Sequence, residues 1–263
     1  MTILDKIVIR KKEEVALAKQ HVSIKDLEKT VYFNRNTHSF KKFLLDEEHT
    51  GIIAEFKRRS PSKGVINAKA SVTEVTQAYT SAGASALSVL TDIDFFGGSK
   101  EDLLEAREAN SIPILRKDFM IDEYQIIEAK AWGADIVLLI ASILSPHEIK
   151  SLASVAKGLG LNVLLEVHNR EELERSICDD LDAIGVNNRN LADFTVDINT
   201  SFELVNEIPD KFMKISESAI SSTETIHELK KAGFNGFLIG ENFMKTTNPG
   251  EAIRHFVQKL ISV

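Results

Sequence analysis

The chain has 263 residues, 43% hydrophobic and 27% charged, with only 13 Gly and 5 Pro, a composition that excludes disordered and fibrous proteins. With 39 acidic against 32 basic residues the net charge is −7, which gives no footprint for nucleic acid, although a local basic patch could still collect a small anion. The single cysteine, Cys178, cannot form an internal disulfide and points to the cytoplasm, and the longest apolar run, 136–141, is far too short to span a bilayer.

Asp5 and Lys6 interrupt the N-terminal apolar residues before a signal-peptide core could form. Residues 1 to about 50 read as a helical extension packed on the main body of the fold, with Ser23 and Ser39 as caps. Arg10-Lys11-Lys12 and Lys41-Lys42 read as solvated helix faces. After residue 50, short β-branched or Leu-rich runs at 52–56, 86–90, 114–117, 136–141, 163–167, 183–186, 213–216 and 237–239 alternate with helical stretches. The runs are continuously apolar, the pattern of parallel strands covered on both faces.

Ser71 with Glu74, Ser145 with Glu148, Thr200 with Glu203 and Ser221 with Glu224 fit the capping box that opens a helix, and Pro146 and Pro249 suit a first helical position. Gly83, Gly133 and Gly233 each stand where a helix must stop before the next strand. Eight β-then-α units predict an α/β fold, a (β/α)₈ barrel in one domain spanning 1–263. An open doubly wound sheet is the alternative, but no G-x-G-x-x-G follows the first strand, and Gly158-Leu159-Gly160 falls at a helix end.

In such a barrel the C-terminal strand ends carry chemistry. Glu55 and Lys57 share one face of the first strand, Lys117 ends the third, Glu166 lies in the fifth, and the seventh runs into Glu217-Ser218. All five charges belong to odd-numbered strands and would converge on the mouth, two cations facing three carboxylates. Left unpaired, each would cost several kcal/mol, so pairing and displaced pKa values are expected. Otherwise each sits in a loop just past its strand.

The sixth strand adds Asn187, a neutral hydrogen-bonding group, and Arg189, suited either to clamp a carboxylate or to form a structural salt bridge. The segment RRSPSKG after the first strand combines hydroxyls, a proline, a glycine and cations, which suits either an anion grip or a mobile basic loop. Gly240-Glu241-Asn242 opens the last helix with exposed N–H groups where barrels often bind phosphate. These features together imply a small phosphorylated substrate. The seven histidines show no H-x-x-x-H or H-x-H spacing, so no metal is expected, and no G-x-S-x-G elbow supports a nucleophilic hydrolase. His168, two past Glu166, could line the site but reads rather as a structural histidine.

Six motifs taken in order carry a family resemblance: EFKRRSPSKG (55–64), ILRKDFM (114–120), LLEVH (164–168), IGVNNRNL (184–191), ISES (215–218) and FLIGENFM (237–244). Over nearly its whole length the chain resembles the indole-3-glycerol phosphate synthases of tryptophan biosynthesis. The resemblance implies ring closure, decarboxylation and dehydration of 1-(2-carboxyphenylamino)-1-deoxyribulose 5-phosphate, with no cofactor. It implies Lys117 as the general acid at the ketone oxygen, Lys57 on the substrate carboxylate with a share in proton transfer, and Glu166 as acid/base around dehydration. Glu55, Asn187, Glu217 and Ser218 would orient these groups. Ser60, Gly240 and Glu241, the last through its N–H, would grip phosphate, and Phe119 and Leu191 would pack on the anthranilate ring. The family usually has Gly where this chain has Ala219, whose methyl restricts positive φ, so Ala219 is expected to be a weaker phosphate contact.

Chemically, such an anilino ketone calls for a proton donor at the developing alkoxide, either a lysine of lowered pKa or a buried glutamate. Three alternatives remain: a Schiff-base aldolase using Lys57 or Lys117, a non-catalytic barrel that binds a phosphometabolite, and a barrel isomerase of phosphoribosylanthranilate. An acidic surface permits a monomer or a homodimer.

Overall fold

The apolar runs become strands because both of their faces are covered. In β1 (Ile52–Phe56) the side chains of Ile52, Ala54 and Phe56 join the layer beneath the helices, while Ile53 joins the cluster inside the barrel. Burying each such side chain fully contributes about 1.5–3 kcal/mol, which favours parallel strands over any arrangement that leaves one face wet. The computed structural model describes residues 2–190 and 194–262.

Among the described residues, β1 is followed by β2 (Ala86–Leu90), β3 (Ile114–Lys117), β4 (Ile136–Ile140), β5 (Asn162–Val167), β6 (Ala183–Asn187), β7 (Met213–Glu217) and β8 (Gly236–Ile239). Each pairs in parallel with its sequence neighbours, and β8 pairs with β1 to close the barrel, with helices between the strands. The open sheet is thereby excluded. Five strand limits differ from the expected ones by a residue, the most useful being β6 and β7, which extend to include Asn187 and Glu217.

The N-terminal segment forms α1 (Ile3–His21), α2 (Ile24–Leu27) and α3 (Phe40–Leu44), and Ser23 and Ser39 accept the expected capping bonds. Phe40 and Leu44 cluster with Ile53, Met213 and Ile215 at the N-terminal ends of the strands. Helix α1 lies at the opposite end. Lys11 corrects the expected solvated face: it is only 3% exposed, and its ammonium lies 3.0 Å from Asp92 and 2.9 Å from Asp118, at the C-terminal ends of β2 and β3. Lys41 and Lys42 are exposed, as expected.

Ser71 and Ser145 cap their helices, Ser145 with the complete capping box. Two expected starts are wrong. Thr200 lies inside the helix Asn199–Leu204, whose cap position is Ile198, because the Asn188 side chain already holds the N–H and hydroxyl of Ser201. Ser222 rather than Ser221 caps Thr223–Ala232, accepting from Thr225. Nor does Gly240 open the last helix: it precedes the short helix Glu241–Met244, and Asn248 caps the last one, Pro249–Ile261.

Candidate active site

The period of two sends Glu55 inward from β1 beside Ile53, and the barrel register then sets its neighbours. Lys117 pairs with Leu90, Glu166 with Ile140 and Gly185, and Glu217 with Asn187 and Leu238. The predicted convergence is therefore real. Lys117 Nζ donates to Glu166 Oε2 at 2.7 Å and to Glu217 Oε2 at 3.1 Å, and Lys57 Nζ donates to Glu55 Oε1 at 2.8 Å. Asn187 ties the ring together: its Nδ2 donates to Glu166 Oε1 at 3.1 Å, and its Oδ1 accepts from the Ser218 hydroxyl at 2.9 Å. All seven residues expected to be catalytic stand around one cavity.

Burial drives the electrostatics. It pushes the Lys117 ammonium toward losing its proton, but the carboxylates of Glu166, Glu217 and Glu55 outweigh that and hold its pKa well above the ordinary lysine value. Of the two donors expected, a lysine of lowered pKa or a buried glutamate, the first is not the one present. The same burial raises the Glu217 carboxyl, and repulsion from Glu166 helps bring it to about 7 despite Lys117. Glu166, equally buried, is instead pulled down to about 2 by Lys117, His168 and the bond from Asn187. Two carboxylates share one ammonium, and their environments push them apart, a pattern typical of acid/base pairs.

The cavity opens at the barrel mouth, with about 800 Å³ of empty space that includes open solvent. Phe119 lines its apolar side with Phe96, ring centroids 5.9 Å apart, above Leu90, Leu138, Ile140 and Leu238. Beside it a second cavity is bounded by Lys57, Ser218, Ala219, Gly240, Glu241 and Asn242. Ser60, assigned with Gly240 and Glu241 to one grip, lines the first cavity and not the second; Glu241 borders both. Arg189 takes the salt-bridge option, its guanidinium 3.4 Å from Glu241, whose other oxygen lies 3.7 Å from Lys63. Leu191 lies outside the described residues.

The RRSPSKG segment is a small antiparallel hairpin, Arg59–Ser60 with Gly64–Val65, rather than an irregular loop. Arg58 does not face an anion site: it pairs with Asp102 at 2.5 Å and stacks on Phe56. Ala219 adopts φ +61° and Ser218 φ +67°, so the turn after β7 takes the left-handed conformation for which the family's glycine is suited.

Two glycines make room for the carboxylates: Gly240, expected only in the phosphate grip, and Gly185, which sequence reasoning missed. A Cβ on Gly240 would lie 2.6 Å from Glu55 Oε1, and one on Gly185 would collide with Glu217 Oε1 and sit 3.2 Å from its Cδ. The alternation that marked the charges could have marked Gly185, which faces inward between Glu166 and Glu217. The ring of His168, read as structural, lies between Glu166 and Glu172. Among the described residues no group of three or more His, Cys, Asp or Glu is placed to hold a metal ion, and no helix is long and apolar enough to cross a membrane.

The family model described as indole-3-glycerol phosphate synthase matches residues 4–256. A protein of that name from Bacteroides thetaiotaomicron is 49% identical over 258 residues, 98% of either chain. Its namesake from Acinetobacter baylyi is 41% identical over 263 residues, covering 99% of this chain and 98% of its own. Among solved structures, one described as native KDPGal superposes with a TM-score of 0.57 at 13% identity, covering 81% of this chain and 93% of the other. A mandelate oxidase in complex with a difluoro hydroxy acid also gives 0.57, at 15% identity, over 72% of this chain and 66% of the other. At such low identity these two speak for the fold alone.

Proposed function

The chain belongs to the indole-3-glycerol phosphate synthase family, carbon-carbon lyases that release CO₂, and from that premise we propose how its residues divide the work. The substrate, 1-(2-carboxyphenylamino)-1-deoxyribulose 5-phosphate, lies with its anthranilate ring against Phe119 and, by the family pattern, Leu191. Its phosphate enters the cavity beside Ala219, Gly240 and the Glu241 N–H, with Ser60 and Arg189 at the rim between the two ends. Holding both ends bends the sugar chain so that the ring carbon meets the ketone, an orientation task that can contribute several kcal/mol.

Lys117 is the general acid. Its two carboxylate partners keep it protonated, and it donates to the ketone oxygen as the carbon–carbon bond forms. Lys57, steadied by Glu55, binds the substrate carboxylate, holds it until CO₂ leaves and shares in proton transfer. Glu166, held by Asn187, protonates the departing hydroxyl in the dehydration, while Glu217 and Ser218 keep Lys117 and Asn187 in line. The observation that carries this reading is the Lys117 ammonium lying within 3.1 Å of both Glu166 and Glu217. The same observation disfavours Schiff-base chemistry, because an ammonium so paired has no lone pair with which to attack a carbonyl. Half-buried Cys178, without a disulfide partner, suits the cytoplasm.

The test is to supply the substrate and follow indole fluorescence with CO₂ release. Lys117→Ala is expected to abolish turnover with substrate binding still measurable, and Glu166→Gln to slow it by about 10²-fold or more. An unmutated protein that makes no indole overturns the proposal, as does a stable borohydride-trapped adduct on either lysine.

A further inference from the structure

The reaction consumes protons that the buried site does not hold in reserve. Ring closure places one on the nascent alkoxide. Decarboxylation leaves its bonding pair in the ring and needs none. Departure of the hydroxyl as water takes a second, and one returns when the methylene carbon beside the nitrogen loses its C–H proton. Each turnover therefore draws one net proton from solvent. Of the two donors at the barrel mouth, Glu166 is almost wholly buried and Lys117 mostly so, their side chains 3% and 15% exposed.

His168 is placed to supply it. The residue follows β5, two past Glu166, and its Nε2 lies 3.4 Å from Glu166 Oε1, with no hydrogen-bond partner among the described residues. Its Nδ1 lies 3.1 Å from Glu172 Oε2, which also accepts from the His168 N–H at 2.8 Å and so fixes the ring. Beyond the ring is a polar side pocket that meets the substrate cavity at Asn187, lined by Ser142, Asn169, Glu172, Asn187 and Asp197, in which Asn169 is exposed. A structural histidine needs neither a second carboxylate at its free nitrogen nor a polar opening behind it.

We propose that His168, steadied by Glu172, relays the proton consumed in each turnover from the side pocket to Glu166; this rests on the reaction assigned above. The charged groups facing the ring favour the imidazolium: Glu166 from β5, Glu172 from the following helix and Glu217 from β7, with Lys117 opposing them from across Glu166. Burial disfavours that form, yet the carboxylates, Glu172 foremost, raise the histidine above its ordinary pKa. Timing is set by Lys117. While Lys117 is an ammonium it holds Glu166 ionised; once it has protonated the alkoxide, that charge is gone and Glu166 becomes more basic. The His168 Nε2–H bond then breaks, an O–H bond forms on Glu166 Oε1, and the neutral ring keeps its Nδ1 proton against Glu172. Glu166 passes its proton to the leaving hydroxyl, the C–H proton lost beside the nitrogen recharges Lys117, and solvent in the side pocket reprotonates the ring.

The experiment compares the full-length protein with His168→Asn and Glu172→Gln, following indole formation at fixed pH over a range of imidazole concentrations. Asn at 168 can keep the bond to Glu172 but has nothing at the Nε2 position. Expected is a kcat lower by roughly 10-fold or more, KM within about twofold of the parent, and recovery with added imidazole that the parent does not show. Glu172→Gln, which keeps the ring seated, is expected to shift the histidine limb of its kcat profile toward lower pH. A kcat for His168→Asn within about twofold of the parent overturns the relay. So does a loss that imidazole does not restore, or an unmoved limb in Glu172→Gln. If the parent itself makes no indole, the assigned reaction has failed; if the parent is active and only these signatures are missing, the relay alone has.

Discussion

The Lys11 ammonium lies 2.9 Å from the carboxylate of Asp118, the residue that directly follows Lys117. Asp118 in turn accepts the Phe119 N–H, and Asp92, the other partner of Lys11, accepts the N–H groups of Phe95 and Phe96. One cation on the N-terminal extension thus sets two of the aromatic rings that line the substrate cavity, Phe96 and Phe119. Although burial favours the neutral acid, Lys11 and Arg116 bring Asp118 down to about 2, so it stays ionised.

Removing that cation leaves two buried carboxylates short of a partner. Lys11→Met is expected to destabilise the protein by about 3–5 kcal/mol in urea unfolding, and to raise KM more than it lowers kcat as Phe96 and Phe119 lose their seating. A loss below about 1 kcal/mol would show that Arg116 alone compensates for Asp118.

Gly185 tests the packing beneath the site. Gly185→Ala pushes a methyl into the Glu217 carboxylate and to within 3.3 Å of Leu164 Cδ1. Overpacking of this kind costs about 1–3 kcal/mol, and a shift of about 1 Å in a catalytic group can cost roughly 10²-fold. The expected result is a folded protein with kcat reduced at least about 10-fold and substrate binding nearly unchanged. Unaltered kcat would mean that Glu217 does not need its present position.

Ala219→Gly runs the opposite way. Relief of the left-handed conformation at φ +61° gains about 1 kcal/mol, while the extra freedom of glycine in the unfolded chain costs about 0.5–1 kcal/mol, so stability should barely change. With the methyl gone the turn can approach a phosphate more closely, and KM should fall. A raised or unchanged KM, measured by indole fluorescence, counts against a phosphate contact there.

The barrel and most of its mouth were legible because they obey short-range rules. Period-two alternation in β1 alone puts Glu55 and Lys57 on one face, and the odd-strand pattern gathers Lys117, Glu166 and Glu217. Lys11 was not legible, since its burial depends on Asp92 and Asp118, some 80 and 107 positions along the chain, and locally it looks like any charged helix residue. The misplaced helix start at Thr200 has the same origin: Asn188, reaching across to Ser201, decides where that helix begins. That the charges would pair was legible too, but not which way each pKa moves: that depends on two carboxylates meeting one ammonium in the closed barrel, which raises Lys117 and, of the pair, Glu217.

Glu166 and Glu217 should leave opposite marks on pH dependence. Glu217 is raised to about 7, so between the ordinary carboxyl value and 7 the folded state holds a proton that the unfolded state has lost. Its stabilising contribution is complete at low pH and disappears as pH rises through about 7, with a slope of at most about 1.4 kcal/mol per pH unit. Glu166, lowered to about 2, contributes stability above the ordinary value that disappears as pH falls toward 2. Glu217→Gln keeps an oxygen to accept from Lys117 but cannot titrate. Urea unfolding from pH 5 to 8 should therefore show a decline in the parent that flattens in Glu217→Gln, while the loss toward pH 2 persists in that variant. Because the two carboxylates titrate as a pair around one ammonium, an unchanged decline in Glu217→Gln would move the upper titration to another group, with His168 next in line.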